Sequence, residues 1–286
     1  MTVGAESFTR GFSLEATRPA AAEIAALADI LPRGTRLFLS AVPAQSFEQH
    51  VKLAALTRRA GLEPVAHLPA RRFASAAQCS EILSRFRDEA DLRAALVLAG
   101  DDASQGVFAD TLALMRSGAL QKAGIFDIGV TGYPEGHPQI ADDRLAAALR
   151  DKIAEAERSG LKLQIVSQFS FAPDRIVQWL RSLRAQGVRL PVRVGMAGPT
   201  SIPALLRFAR RCGVNGSLRG LMSGAAVSLL TGSVGPGRII DALAAARDEI
   251  GDVTPHYFSF GGVIETARYA RAQSEEAAGP KVMATS

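Results

Sequence analysis

Short apolar runs alternate along the chain with segments whose apolar side chains recur every three or four positions. The run Ala94–Ala99 is continuously apolar, as is typical of a strand buried on both faces. Leu145, Leu149 and Ile153 recur at intervals of four and predict a helix with one buried face. The predicted strands span residues 12–16, 36–42, 64–68, 94–99, 124–130, 161–166, 191–195 and 254–260.

Eight strand–helix units without an intervening linker predict a single (β/α)8 barrel, the TIM-barrel fold, over residues 1–272. The polar residues 273–286 are expected to form a disordered tail, and residues 217–250 to hold one or two inserted helices. An open doubly wound sheet is the alternative, but no Gly-x-Gly-x-x-Gly follows the first strand. The glycine cluster at residues 232–237 follows no clear strand and is a weak candidate phosphate site.

Composition narrows the class of protein. The chain has 286 residues, of which 48% are apolar, and this fraction excludes general disorder. The two cysteines, Cys79 and Cys212, exclude a disulfide-rich scaffold and a four-thiolate metal site. No zinc or serine-hydrolase motif is present, so we expect no metal centre. The sequence shows neither a signal peptide nor a membrane span, which predicts a cytoplasmic protein.

The formal net charge of +5 comes from arginines that are spread along the chain. No basic run is interleaved with aromatic residues, so we expect no nucleic-acid partner. A modest positive field suits an anionic small molecule instead.

Polar side chains stand at the ends of most predicted strands, where barrel enzymes place their chemistry. Each has a structural alternative: Glu15 could form a surface ion pair, His67 could be a satisfied buried histidine, and Asp101 could cap the next helix. The full set consists of Glu15, Ser40, His67, Asp101, Asp102, Tyr133, Glu135, His137, Gln168 and Ser259.

Four short motifs carry a family resemblance. They are Phe12-Ser-Leu-Glu15, Leu98-Ala-Gly-Asp101, Gly132-Tyr-Pro-Glu-Gly-His-Pro138 and Gln168-Phe-Ser-Phe171. In this order and spacing, the chain resembles the methylenetetrahydrofolate reductase family over most of its length. The family fold is a TIM barrel, in agreement with the strand–helix pattern.

The resemblance implies a redox reaction on folate. Members reduce 5,10-methylenetetrahydrofolate to 5-methyltetrahydrofolate with a hydride from reduced flavin (FAD), which NADH or NADPH reduces in the same pocket. Glu15 stands at the position of the family's general acid, and Asp101 at that of an aspartate beside flavin and pterin. A partly desolvated Glu15 at a barrel mouth is expected to have the raised pKa that an acid needs.

The resemblance also implies binding residues. Gln168 matches a pterin-binding glutamine, and Phe171 is a candidate either to stack on the substrate or to pack in the core. The expected partners are tetrahydrofolate derivatives and a nicotinamide nucleotide, and assembly into a homo-oligomer is left open. The candidate cofactor contacts are Ser40, His67, Asp101, Tyr133, His137 and Lys152.

Several family positions differ in this chain. Ala99 stands where the family has an arginine, and residues 256–262 lack the asparagine and arginine of the family's last strand. Arg71 or Arg72 is therefore a candidate to hold the flavin. The alternatives are a flavin-independent folate reductase that takes hydride directly from a nicotinamide, another tetrahydrofolate-dependent enzyme, and a non-catalytic folate- or flavin-binding barrel.

Overall fold

Eight parallel strands close into a barrel in the computed structural model, which describes residues 8–43, 45–100, 106–201 and 236–276. Each strand pairs with the next along the chain, and the last strand pairs with the first. The predicted TIM barrel is confirmed. The strands are β1 (Ser13–Ala16), β2 (Arg36–Leu39), β3 (Glu63–Pro69), β4 (Ala94–Leu98), β5 (Asp127–Gly132), β6 (Lys162–Ser167), β7 (Val192–Ala197) and β8 (Val253–Phe258).

Helices cover the outside of the barrel and connect successive strands. Within the described ranges the α-helices are α1 (Ala21–Ile30), α2 (Phe47–Arg59), α3 (Ala76–Ala90), α4 (Thr111–Arg116), α5 (Ala119–Lys122), α6 (Asp142–Ser159), α7 (Pro173–Ala185), α8 (Gly237–Ala245), α9 (Arg247–Ile250) and α10 (Val263–Glu276). Local sequence sets their ends: Ser46 begins α2 by accepting a hydrogen bond from the Gln49 backbone N–H. Gly160 ends α6 in the left-handed region, with φ +69°.

Alternation along the strands divides the apolar side chains into an inner and an outer set. The outer set joins strand residues such as Leu14 and Leu37 to the helices and forms the main core. The inner set fills the barrel, so the barrel is a packed core and not a channel. Its buried members are Phe38, Val65, Ala94, Leu96 and Val166, with Leu98 packed against them.

Several strand boundaries differ from the predicted ones, and at two of them turns replace sheet pairing. β5 begins at Asp127, whereas the predicted strand began at Gly124. Gly124 has φ +74° and donates its N–H to the Gln121 carbonyl, which closes the end of α5. β8 ends at Phe258, because the Phe260 N–H turns back to the Phe258 carbonyl at 3.0 Å.

The carboxyl-terminal helix α10 continues to Glu276, into the segment predicted to be a tail. Thr9 Oγ1 donates to the Gln273 carbonyl at 3.1 Å and holds this part of the helix against the amino-terminal segment. The inserted helices predicted over residues 217–250 are seen from residue 236 onward as α8 and α9. The glycines at positions 232 and 235, Cys212 and residues 277–286 lie outside the described residues. Among the described helices, none has the length and apolar character needed to cross a membrane.

Candidate active site

The carboxylate of Glu15 lies at the carboxyl end of the barrel, which we call the mouth, in contact with side chains from three other strands or strand ends. Ser40 Oγ donates to Glu15 Oε1 at 2.8 Å. His67 Nε2 and His256 Nε2 each lie 3.4 Å from Glu15 Oε2. The side chains of Glu15, His67 and His256 are only 13%, 10% and 0% exposed. The structure therefore brings three of the sequence-predicted residues, Glu15, Ser40 and His67, into one cluster.

His256 belongs to this cluster, although it is not among the sequence-predicted site residues. It lies in β8, where register pairs it with Ser13 of β1, and its Nδ1 is 2.9 Å from Ser13 Oγ. The sequence did offer a signal for His256. Ser13 and Glu15 are two positions apart and therefore lie on the same face of β1, and a histidine on the strand that closes the barrel can face them.

The surroundings of Glu15 lower its pKa, which is the opposite of the sequence-based expectation. Burial acts to raise the pKa of this carboxyl, but the His67 imidazole and the contact from His256 outweigh it and hold the pKa well below its usual range. Burial lowers the pKa of His256, and the Glu15 carboxylate opposes that shift. The expectation was wrong because it considered burial and not the two imidazoles.

A cavity of about 260 Å³ lies beside Glu15, between the ends of β1 and β8. Phe258 and Phe260 line it, and their rings are nearly parallel, at 5.6 Å and 24°. Ser259 also lines it, and among the described residues its buried Oγ has no hydrogen-bond partner. An aromatic wall with a few polar groups suits a planar heteroaromatic ligand.

The loop after β6 joins this wall to the rest of the mouth. Phe169 packs edge-on against Phe258 and Phe260, and Phe171 packs edge-on against Phe169 at 5.5 Å. Phe171 is thus half-buried in an aromatic cluster beside the mouth. Gln168 Oε1 accepts the Phe169 N–H at 3.0 Å, which leaves the Gln168 NH2 group as a donor without a partner in the described part of the chain.

The candidate flavin contacts of the β5 loop form a separate group. Tyr133 donates its hydroxyl proton to Thr131 Oγ1 at 3.0 Å, and its ring is perpendicular to that of His137 at 5.0 Å.

Lys152 lies on α6, and burial lowers its pKa, an effect that Asp110 partly opposes. In the described ranges Lys152 forms no ion pair, so its half-buried ammonium can hold an anionic group.

Arg71 and Arg72 bind backbone carbonyls. Arg71 Nε donates to Ala109 O at 2.8 Å and Arg71 Nη1 to Gly100 O at 3.3 Å, so its guanidinium joins two flanks of the loop after β4. Arg72 Nη1 and Nη2 donate to Val42 O and Gln45 O. Through these contacts the side chains of Arg71 and Arg72 hold neighbouring loops in place. Asp101 and Asp102 lie outside the described residues.

The chain is similar to known proteins over much of its length. The family model "Methylenetetrahydrofolate reductase" matches residues 40–216, more than half of the chain. A 5,10-methylenetetrahydrofolate reductase of Pectobacterium carotovorum subsp. carotovorum is 26% identical over 190 residues, covering 64% of this chain and 59% of that protein. Methylenetetrahydrofolate reductase 2 of Saccharomyces cerevisiae is 31% identical over 85 residues, covering 30% of this chain and 14% of that protein. The chain thus spans less than two thirds of either relative.

One solved structure, a D-psicose 3-epimerase from Clostridium cellulolyticum H10, aligns with a TM-score of 0.45 and 12% sequence identity, covering 93% of this chain and 96% of that one. Within the chain, the family match includes His67, Tyr133 and Gln168, but it includes neither Glu15 nor His256.

Proposed function

The chain belongs to the methylenetetrahydrofolate reductase family, and from this premise we propose that it reduces 5,10-methylenetetrahydrofolate to 5-methyltetrahydrofolate. The observation that carries the proposal is the buried cluster of Glu15, His67 and His256 beside an aromatic-walled cavity at the mouth. The reaction breaks the bond between N10 and the methylene carbon. A proton then goes to N10 and a hydride to the methylene carbon, so the substrate gains one of each.

Glu15 is proposed to deliver the proton to N10. Its low pKa means that the carboxylate is the resting form of Glu15. A proton that passes onto such a carboxyl is strongly acidic, and therefore suits a weakly basic aryl amine such as N10. Once it is given up, the carboxylate charge stabilises the N5 iminium cation left by ring opening.

Binding of the folate is proposed to use the groups around the cavity. Phe258 and Phe260 offer a face for the pterin ring, and the Gln168 NH2 group offers a hydrogen-bond donor. Phe171 is a further candidate for contact with the substrate. Asp101 is proposed to place a second negative charge near the pterin, as the family resemblance implies.

The hydride donor is proposed to be FAD, which NADH or NADPH reduces. Tyr133, His137 and Lys152 would hold the flavin, and Ser40 and His67 are proposed as further contacts. The half-buried Lys152 ammonium, which has no ion-pair partner in the described part of the chain, suits a flavin phosphate. When bound, the flavin would supply the hydride, while Glu15 and its imidazoles would manage the proton.

Direct hydride transfer from the nicotinamide, without flavin, is a second candidate. Three groups that were candidate flavin contacts already have partners: Arg71 and Arg72 bind loop carbonyls, and the Ser40 hydroxyl donates to Glu15. With Ala99 in place of an arginine, these contacts favour a site that holds flavin weakly or not at all. The role of Glu15 is the same on both routes.

The test is to assay the purified protein with 5,10-methylenetetrahydrofolate and NADH or NADPH, with and without added FAD. We expect nicotinamide oxidation that depends on the folate. Deuterium that passes from labelled nicotinamide into the methyl group without dilution would favour direct transfer, and loss of label to solvent would favour the flavin. If circular dichroism shows a folded protein but no condition gives folate-dependent oxidation, the proposed function is wrong.

A further inference from the structure

A line of polar contacts runs inside the barrel from Arg193 on β7 to Glu15 at the mouth. Arg193 Nη1 donates to Ser13 Oγ at 3.1 Å, Ser13 Oγ is 2.9 Å from His256 Nδ1, and His256 Nε2 is 3.4 Å from Glu15 Oε2. We propose that Arg193 is a positioning residue that acts through Ser13 to set the proton state of the His256–Glu15 pair. The proposal rests on the proposed function in one respect, namely that Glu15 delivers a proton.

As long as a proton joins His256 Nε2 to Glu15, hydrogen-bond donors and acceptors restrict this line to two arrangements. The guanidinium of Arg193 only donates, so Ser13 Oγ accepts from it. The single Ser13 hydroxyl proton then points either to His256 Nδ1 at 2.9 Å or to the Pro255 carbonyl at 3.5 Å. In the first arrangement Nδ1 carries no proton, so neutral His256 has its proton on Nε2 and donates it to the Glu15 carboxylate.

The second arrangement holds one more proton. His256 Nδ1–H then donates to Ser13, whose hydroxyl turns to Pro255 O. The added proton lies between His256 Nε2 and Glu15 Oε2, as an imidazolium beside a carboxylate or as a neutral imidazole beside a protonated Glu15. Rotation of the Ser13 hydroxyl group thus accompanies the binding of a proton by the His256–Glu15 pair. Both acceptors of this hydroxyl, His256 Nδ1 and the Pro255 carbonyl, are present.

The positive charge of Arg193 biases where the added proton resides. A cation on the far side of Ser13 disfavours an imidazolium at His256 and so favours the proton on Glu15. The shifts agree in direction: burial lowers the pKa of His256, Glu15 opposes this effect, and Arg193 and His67 add to it. Arg193 thereby makes a better proton donor of Glu15 without touching the substrate.

Arg193 is held firmly enough for this role. Its Nε donates to Gln164 Oε1 at 2.8 Å and its Nη1 to the Gly11 carbonyl at 3.2 Å. Gln164 Nε2 in turn donates to Asp127 Oδ1 at 3.0 Å, which joins the guanidinium to β5 and β6. Burial lowers the pKa of Arg193 to about 10, so it stays charged at neutral pH. The charged groups that act on it are Arg36, Asp127 and Asp252.

The experiment reads the tautomer and titration of His256 directly. The chain has four histidines, so ¹⁵N-histidine labelling gives few signals, and His256→Gln identifies the one of interest. In the wild-type protein we expect the Nε2–H tautomer. In Arg193→Met we expect a rise in Nδ1–H and a titration of His256 displaced upward by about one pH unit. Ser13→Ala removes the same link with a smaller change and is expected to alter the tautomer likewise.

The control is Arg184→Met. Arg184 also donates to backbone carbonyls, those of Ile250, Val188 and Leu190, but it lies on α7 outside the barrel. This variant should leave the His256 signals unchanged. Wild-type tautomer and titration in both Arg193→Met and Ser13→Ala would overturn the proposal.

The histidine spectra do not depend on turnover. Failure of the proposed reaction can therefore be told apart from failure of the proposed role of Arg193. A shifted tautomer in a protein that does not reduce folate would support the role of Arg193 and reject the reaction. Where the wild type does reduce folate, Arg193→Met should also displace the pH profile of kcat relative to Arg184→Met. An unshifted profile with an altered tautomer would reject the link to catalysis.

Discussion

The Nε2 atom of His256 lies 3.4 Å from Oε2 of Glu15, and His256 has no exposed surface. The charge of a buried imidazole so close to a carboxylate depends on the charge of that carboxylate, so the two groups titrate as a pair. This contact and the one to His67 lower the pKa of Glu15, so the carboxylate is its form at rest. The proton chemistry at the mouth is therefore a joint property of Glu15, His67 and His256.

Glu15→Gln should abolish most of the proposed reaction. Glutamine keeps the shape of the side chain and can still accept from Ser40, but it cannot pass a proton to N10. We expect kcat to fall roughly 100- to 10,000-fold, the usual contribution of general acid catalysis, with folate binding largely kept. Glu48→Gln, which removes a surface carboxylate paired with Lys52, is the control. Steady-state kinetics with wild-type kcat in Glu15→Gln would remove Glu15 from the mechanism.

His50 should make the protein less stable in acid. It is buried with Nε2 3.1 Å from the Leu39 carbonyl, and burial lowers its pKa from 6.5 to about 3. Between these values the unfolded chain binds a proton that the folded protein does not. The contribution of His50 is therefore complete above about pH 6.5 and lost as pH falls, by at most about 1.4 kcal/mol per pH unit.

Urea unfolding between pH 3 and pH 7 measures this effect. His50→Gln can keep a donor for Leu39 O but does not titrate, so its free energy of unfolding should depend less steeply on pH. Lys122→Gln, at an exposed lysine for which the described residues show no ion pair, controls for the change in net charge. Equal slopes for His50→Gln and the wild type would contradict the prediction.

Lys152 should distinguish flavins by their phosphate. If its ammonium binds the phosphate, Lys152→Met should weaken FMN and FAD binding roughly 10- to 100-fold, which matches the ~1.5–3 kcal/mol of a charge-assisted hydrogen bond. Riboflavin, which has no phosphate, should bind equally to both proteins. Titration by flavin fluorescence measures this, with the exposed Lys122→Met as control. Equal loss for riboflavin would show that Lys152 does not contact the phosphate.

Gly132 should not tolerate a methyl group. A Cβ there would lie 2.7 Å from both Ile165 Cγ2 and Trp179 Cζ2, so Gly132→Ala should lower the free energy of unfolding by about 1–3 kcal/mol. Gly237 at the start of α8 has nothing within 4 Å, and Gly237→Ala should be neutral or stabilising by up to ~1 kcal/mol. Chemical denaturation of this matched pair tests the packing, and equal effects would contradict it.

Much of the fold could be predicted from the sequence because parallel strands buried on both faces leave continuous apolar runs, as at residues 94–99. Glu15, Ser40 and His67 could also be selected, since each stands near the end of an early strand and all such ends meet at one mouth. The partners of Arg71 and Arg72 could not be predicted, because their acceptors are backbone carbonyls of other loops, up to 38 residues away.

By itself, the sequence determined the barrel and most of the polar groups at its mouth, because strand order and side-chain alternation are local patterns. Only the tertiary structure decided that His256 reaches Glu15 across 241 residues, since closure of the barrel sets β8 beside β1 and no local pattern encodes that register. It also decided the sign of the Glu15 pKa shift. That sign depends on the balance between burial and contacts within a few ångströms, which only the folded chain brings together.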